Sequence, residues 1–399
     1  MPSLAFNPID KLYGACMNKV MSLVLAGLLS AVAMSEAQSN PVISYFDYGS
    51  GELVFGEVDN ATNYYVLRSS DIMTDWSRIS SALDVIAPSG TGSVTCSVPV
   101  QAETVAFFRV CAEVEQFTAP AITMVAIVSN QFLMGSAFPV DDYYLDESPT
   151  HSVTLDAYSI GAYEITWDQW TAVRDWAVSH GYSLAEGSGV AGDHPVNSVS
   201  WYDTVKWCNA LSEMAGLTPC YTVTGSVYRA GATVPDCNWQ ADGYRLPSDA
   251  EWEWSARGEY GGRRFPWIDP MINHTHANYV ANNQYSYDDS PYDDFTYHPT
   301  FVTEIEPFTS PVGSFLANGS GLYDSAGNVA EWCWDWYDAY YYSENPVDNP
   351  HGPDTGTDRS IRGGGWHSDA FYCRVSARML AGPDEAYIDV GFRICRTAP

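Results

Sequence analysis

The sequence predicts an α+β fold with a high loop content, preceded by a small all-β sandwich domain. Three observations predict it. Residues 40–115 hold short runs rich in β-branched and aromatic residues, set apart by polar or Gly/Pro turns. Further on, Ser or Thr followed three residues later by an acid or amide marks helix starts. Beyond residue 262 the chain turns to Gly, Asn, Asp and Tyr with brief apolar runs, a pattern of long irregular loops.

The first element is an export signal. Lys19 gives residues 17–37 a positive start, and Met21 to Ala33 form an apolar stretch too short to span a bilayer comfortably. Ser35 and Ala37 then supply the small residues before a cut ahead of Gln38. Residues 1–16 read as an upstream extension of this leader. The mature protein is expected outside the cytoplasm (periplasmic, at the cell surface or secreted), without a membrane span.

The second element is the β domain, residues 38–116. Its expected strands are Glu52 to Gly56, Tyr64 to Ser69, Gly92 to Val98 and Val105 to Ala112, a weak likeness to a fibronectin-type-III sandwich. Cys96 and Cys111 fall on neighbouring candidate strands and are expected to pair. Such units act as spacers or docking modules.

The third element, residues 117–399, carries the helices. Thr166 with Gln169, Ser200 with Asp203 and Ser248 with Glu251 fit the capping-box spacing, Asp203 being a shorter stand-in for Glu. Trp, Val and Leu follow at helical spacing, a core-facing pattern. The irregular stretch after them needs pinning by disulfides, metals or aromatic packing.

Composition narrows the function. With 49 acids against 18 bases the net charge is −31, which repels phosphate backbones and excludes a nucleic-acid partner. The 14 Trp and 27 Tyr read first as packing and second as a stacking surface for sugars or peptides. Of the 9 cysteines, Cys16 leaves with the leader, and the remainder, being even in number, favour disulfides in an oxidising compartment. No C-x-x-C pair is present, and the histidines show no H-E-x-x-H spacing. His274 and His276, two residues apart, would share one face of an extended segment.

Several blocks then occur in a telling order: MVAIVSNQFLMGS (124–136), HSVTLDAYSIGAYEIT (151–166), HPVNSVSWYDTVKWCNAL (194–211), GYRLPSDAEWEWSARG (243–258), GLYDSAGNVAEWCWDW (321–336), RSIRGGGW (359–366) and VGFRICR (390–396). Together they resemble the formylglycine-generating enzyme, or sulfatase-modifying factor, domain over nearly all of 120–399. The resemblance implies a variant of the C-type-lectin-like fold. In that family a copper(I) ion held by two cysteines, with oxygen, converts a sulfatase cysteine into formylglycine.

The resemblance also implies sites. A calcium ion would be held at Asp324, Gly327, Val329 and Glu331, hard oxygen donors around a tight glycine turn. A second would use Asn278 and the Tyr279 carbonyl, with Glu304 and Glu306 nearby. Cys208 and Cys395 match a family disulfide, while the family's other bridge falls on Ala256 and Val375 and is lost. Cys220–Cys237 and Cys333–Cys373 are the remaining expected pairs.

The likeness breaks at the catalytic loop. In RGGGWHSDAFYCRVSAR, 362–378, the positions of the two copper cysteines fall on Ser368 and Ala370, Gly365 replaces a serine, and Ala330 replaces the tryptophan of GNxWEW. The former catalytic loop thus offers Gly365, His367, Ser368, Ala370 and Cys373, and copper is not expected. Trp366, His367, Asp369, Phe371 and Tyr372 would rim a cleft for a peptide, protein or glycan. The sequence therefore reads as an exported calcium-binding accessory protein of this family without copper-cysteine oxidase activity. The alternative is a divergent formylglycine-generating oxidase acting on exported sulfatases.

Overall fold

All three capping signals start helices in the computed structural model. It describes the backbone of strands between 43 and 114, and residues 118–398 except 137, 139–143, 259 and 293. Helix α1 spans Trp167–Ser179, α2 Trp201–Met214 and α3 Asp249–Ala256. Thr166 and Ser248 accept the N–H of Gln169 and Glu251, whose side chains return the bond to the cap backbone. At α2 the shorter Asp203 accepts instead from the Ser200 hydroxyl (2.6 Å), the Ala185 N–H (3.2 Å) and Lys206 Nζ (3.2 Å). The cap therefore holds without the reciprocal arm.

The chain divides into two compact units, Met1–Gln116 and Phe117–Pro399. In the first, β1 (Ile43–Asp47), β2 (Glu52–Gly56), β3 (Ala61–Ser69), β4 (Ser77–Arg78), β5 (Ser93–Ser97) and β6 (Phe107–Val114) form sheets ordered β1-β2-β5 and β4-β3-β6. Cys96 thus lies on a strand of one sheet and Cys111 on a strand of the other. Their side chains, and the leader at 1–37, lie outside the described residues.

The second unit is mixed and loop-rich. Its longer strands are β7 (Met124–Ile127), β8 (Asn130–Met134), β9 (His151–Leu155) and β10 (Tyr158–Gly161). Short strands β11 (Tyr221–Val223), β12 (Ser226–Val227), β13 (Asp236–Cys237) and β14 (Tyr244–Arg245) follow. The C-terminal set is β15 (Ala330–Trp336), β16 (Arg359–Arg362), β17 (Met379–Ala381), β18 (Val390–Gly391) and β19 (Cys395–Thr397). Two four-stranded sheets, β14-β19-β10-β7 and β17-β16-β15-β18, frame the unit. In the second sheet β15 pairs antiparallel with β16 and parallel with β18.

The tryptophans are mainly core. Trp170 and Trp207 stack at 6.0 Å and Phe392 meets both edge-on, between α1, α2 and the chain end. Four buried indoles donate to backbone: Trp170 to Glu186 O, Trp201 to Cys333 O, Trp207 to Trp170 O and Trp332 to Val199 O. These bonds tie helices to loops as well as filling space.

The loops are pinned by a different device from the one expected. Cys208, Cys220, Cys237, Cys333, Cys373 and Cys395 are all free thiols. The Cys208–Cys395, Cys220–Cys237 and Cys333–Cys373 bridges are therefore not formed. Cys333 packs with Trp252, Ala256 and Val375, whereas Cys373 belongs to a separate cluster with Phe265, Ala277 and Tyr279. Buried arginines do the pinning: Arg374 on Glu147, Arg393 on Glu331, Arg257 on Glu253, Arg245 on Glu251, and Arg362 on both Asp249 and Glu253. Each joins segments far apart in sequence or closes a turn beside one. The planar guanidinium suits such sites because its several donors match a carboxylate and nearby carbonyls at once.

Candidate functional site

The loop 362–378 leaves β16 and returns into β17. Gly363 and Gly364 have φ of +86° and +67°, a region that favours glycine. At Gly365 the constraint is space, since a Cβ there would sit 2.6 Å from the Asp389 carbonyl oxygen. The RGGGW run is thus a packing requirement, and a serine at 365 would displace backbone. The loop is held by Gly327 N–H to Gly363 O (3.0 Å), Trp366 N–H to Asn328 O (2.7 Å) and Val280 N–H to Ser368 O (2.8 Å).

Within the loop the side chains separate into buried and accessible sets. Ser368 is half-buried and its hydroxyl accepts the Gly365 N–H at 3.0 Å. Ala370 is buried. Cys373 is also enclosed, and burial, with Asp369 and Asp288 nearby, pushes its thiol well up, so it is no poised thiolate. His367 is exposed, its Nδ1 2.9 Å from the Tyr297 hydroxyl. Asp369 accepts the Phe371 N–H (3.0 Å) and the Tyr285 hydroxyl (3.3 Å), and burial raises its carboxyl.

The expected cleft needs correction. Trp366 and Phe371 are buried and do not rim an open groove. Trp366 packs on Phe308 and Tyr297, and Phe371 on Tyr144 at 4.6 Å and Tyr285 at 5.7 Å. An open cavity of about 690 Å³ lies to one side of Tyr372. Tyr144, Asp146, Tyr337, Tyr340 and Arg378 line it with Tyr372. Sequence reasoning missed all of these but Tyr372, because they come from segments with no shared motif. The dense tyrosine around 337–342 was the available signal.

The first calcium set is drawn together in part. Asp324, at φ +52°, opens the turn through Gly327 (+79°) and Asn328 (+70°). A Cβ at Gly327 would lie 2.4 Å from the Asn278 carbonyl oxygen, which accepts the Asn328 N–H. Asp324 Oδ2 accepts the Gly313 N–H at 2.6 Å, while Oδ1 is buried with no hydrogen-bond partner. Burial pushes the Asp324 carboxyl up to about 6. Val329 is buried, and its N–H donates to Glu164. Glu331 is committed elsewhere: Arg393 donates to both its oxygens at 2.6 Å and Trp252 Nε1 donates at 2.7 Å.

Glu164 is a third buried carboxylate here. It accepts the Val329 N–H (3.0 Å) and Asn328 Nδ2 (2.6 Å). Burial, then the charges of Asp324 and Glu331, hold it well above the carboxylate range. Its place in the AYEIT block was the only sequence signal. Three carboxylates thus face one guanidinium, Arg393. Among the described residues, no three or more His, Cys, Asp or Glu side chains converge as a metal cage.

The second calcium set is not assembled. Asn278 and Tyr279 are buried, whereas Glu304 and Glu306 lie on an exposed run. Asn278 Nδ2 donates to the Phe308 carbonyl at 2.8 Å, and the Tyr279 carbonyl is taken by His274 Nε2 at 3.1 Å. His274 and His276 sit in a turn and diverge, His276 stacking on Trp267 at 4.7 Å. Among the described residues no helix is long and apolar enough to cross a membrane.

Comparison with known proteins places this geometry. The formylglycine-generating enzyme of Streptomyces coelicolor is 31% identical over 299 residues, 69% of this chain and 89% of that one. The chaperone protein LppX of Paenibacillus barcinonensis is 31% identical over 62% of this chain and 82% of its own length. Treponema denticola variable protein 1 superposes with a TM-score of 0.54 at 30% identity, covering 71% of this chain and 98% of that one. Residues 110–398 match the model of the sulfatase-modifying factor enzyme 1-like domain, and the chain belongs to that family.

Proposed function

We propose that this chain is an exported, calcium-holding accessory member of the sulfatase-modifying factor family that binds a peptide or glycan and lacks copper-cysteine oxidase activity. The observation that carries this reading is the 362–378 loop. Its only thiol, Cys373, is enclosed, and the family resemblance puts the copper cysteines at Ser368 when anchored on the glycines and at Ala370 when anchored on Ser376 to Arg378. Copper(I) is soft and prefers two near-linear thiolates. A hydroxyl already bonded to Gly365 N–H and a methyl group do not fit it. The likeness to a relative named a chaperone supports an accessory role.

Calcium is supported by the donor set at the 324–329 turn. Asp324 has a buried oxygen without a partner, and a dication beside it would relieve the repulsion among Glu164, Asp324 and Glu331. Asp324 would hold the ion with the carbonyls of Gly327 and Val329. Glu331, bound to Arg393, would act as a neighbouring charge. The leader at 17–37 supports export, and the two three-stranded sheets at 43–114 support a small sandwich used for docking or spacing.

A second reading, a divergent formylglycine-generating oxidase, is favoured by the 31% identity to an enzyme of that name. Copper(I) titration against a competing chelator separates the two. The first reading expects no stoichiometric site; tight one-to-one binding lost in Cys373→Ser would favour the second.

A further inference from the structure

The charges of this chain are sorted by burial, bases inward and acids outward. Residues 1–37 hold Asp10, Lys11, Lys19 and Glu36, which cancel, so residues 38–399 keep the whole net charge of −31. Lys206 is the sole lysine of that stretch. It is 5% exposed, its Nζ tied to the Ser183 carbonyl at 2.6 Å. Seven arginines are buried as well, among them Arg245, Arg362 and Arg374. Among the described residues Arg229 is the one exposed base, and it pairs with Glu213 at 2.5 Å.

The acids are left uncovered. Seventeen are exposed among the described residues, against that single exposed base. Arg174 meets Asp175 at 3.5 Å and Glu186 at 3.8 Å, and the other exposed acids have no ion pair with a described base. Folding gathers these like charges onto one small surface, whereas the unfolded chain spreads them apart, so self-repulsion opposes the folded state. Dissolved salt screens charges at a surface far more than pairs in a core. The buried arginine pairs that pin the loops therefore keep their strength in salt while the repulsion outside them fades. No single acid is a site; the coat acts as a whole.

We propose that this distribution makes the fold conditional on ionic strength, loosened in dilute medium and firm in a saline one. The device is independent of the calcium turn and of any ligand, and it goes beyond the function proposed above. It names a working medium for the protein, one in which dissolved cations are plentiful.

The test follows thermal unfolding of the full chain, with chelator present, from about 0.01 M to about 0.15 M NaCl. Over that range the screening length falls from about 30 Å to about 8 Å. Tryptophan emission is the readout, because every tryptophan but Trp76 lies in residues 117–399. The midpoint should rise by about 4 °C or more. A variant carrying Asp236→Asn, Asp289→Asn, Asp294→Asn, Glu304→Gln, Glu306→Gln and Asp354→Asn removes six exposed charges. It should start higher and rise about a third less, since repulsion grows with the square of the charge. Guanidinium chloride at about 0.1 M, itself a salt, should raise the wild-type midpoint, while the same dose of urea lowers it. That measurement decides the matter if the variant fails to fold. A flat or falling midpoint in NaCl, a wild-type slope in the folded variant, or lowering by guanidinium chloride overturns the proposal. So does a slope lost in Asp324→Ala, which would place the effect at the calcium turn.

Discussion

Arg374 and Glu147 meet through two hydrogen bonds of 2.8 and 2.7 Å, across 227 positions of chain, with neither side chain exposed. Arg374 belongs to the 362–378 loop, and its Nε also holds the Phe371 carbonyl at 2.9 Å. Glu147 lies next to Asp146 of the tyrosine-lined cavity. One ion pair therefore fixes the loop and the wall of the cavity together.

Removing one partner leaves the other charge buried and alone. Glu147→Gln or Arg374→Met should each cost about 3–5 kcal/mol in urea unfolding. The double variant should cost less than the sum of the two, because neither orphaned charge then remains. Additive costs would show that the two side chains act independently.

Gly365→Ser restores the residue that the family resemblance puts at this position. It should destabilise the protein by about 1–3 kcal/mol, because the new Cβ would crowd the Asp389 carbonyl. Thermal unfolding reads the effect. An unchanged melting temperature would mean that the 389–391 segment yields without cost.

Calcium should raise the melting temperature and chelator should lower it. Asp324→Ala should abolish the response, since it removes the unpartnered buried oxygen. Glu304→Ala and Glu306→Ala, on the exposed run, should leave it intact. A response surviving Asp324→Ala would place the ion elsewhere.

His351 stacks on Trp239 at 3.5 Å, and burial holds its imidazole down at about 4, against an ordinary 6.5. A depressed histidine contributes stability that is complete above 6.5 and is lost as pH falls toward 4, because the unfolded chain takes up a proton that the folded one refuses. Urea midpoints should fall across that window. His351→Gln should flatten this part of the profile, and an unaltered slope would assign the loss to other groups.

The sequence made the helices legible because capping is local: Thr166, Ser200 and Ser248 each set a boundary through bonds within three residues. The glycine turn at 324–329 was legible for the same reason. The pinning of the loops was not, because an arginine at 374 carries no mark of its partner at 147. Cysteine parity suggested bridges, yet Cys333 and Cys373 fall in separate clusters. Ala256 and Val375, where the resemblance puts the family's other bridge, pack in one apolar cluster with Cys333. Phe371 and Trp366 looked like a cleft by composition, but tertiary packing turned them inward.

The most direct test of the central claim is oxidation of a sulfatase-type peptide. The full chain, loaded with calcium and copper(I) under oxygen, would be incubated with a peptide bearing C-x-P-x-R and followed by mass spectrometry. The account expects the cysteine to remain unconverted while an authentic formylglycine-generating enzyme converts it alongside. Conversion by this chain, lost in Cys373→Ser, would contradict the account and establish an oxidase with a rebuilt metal site.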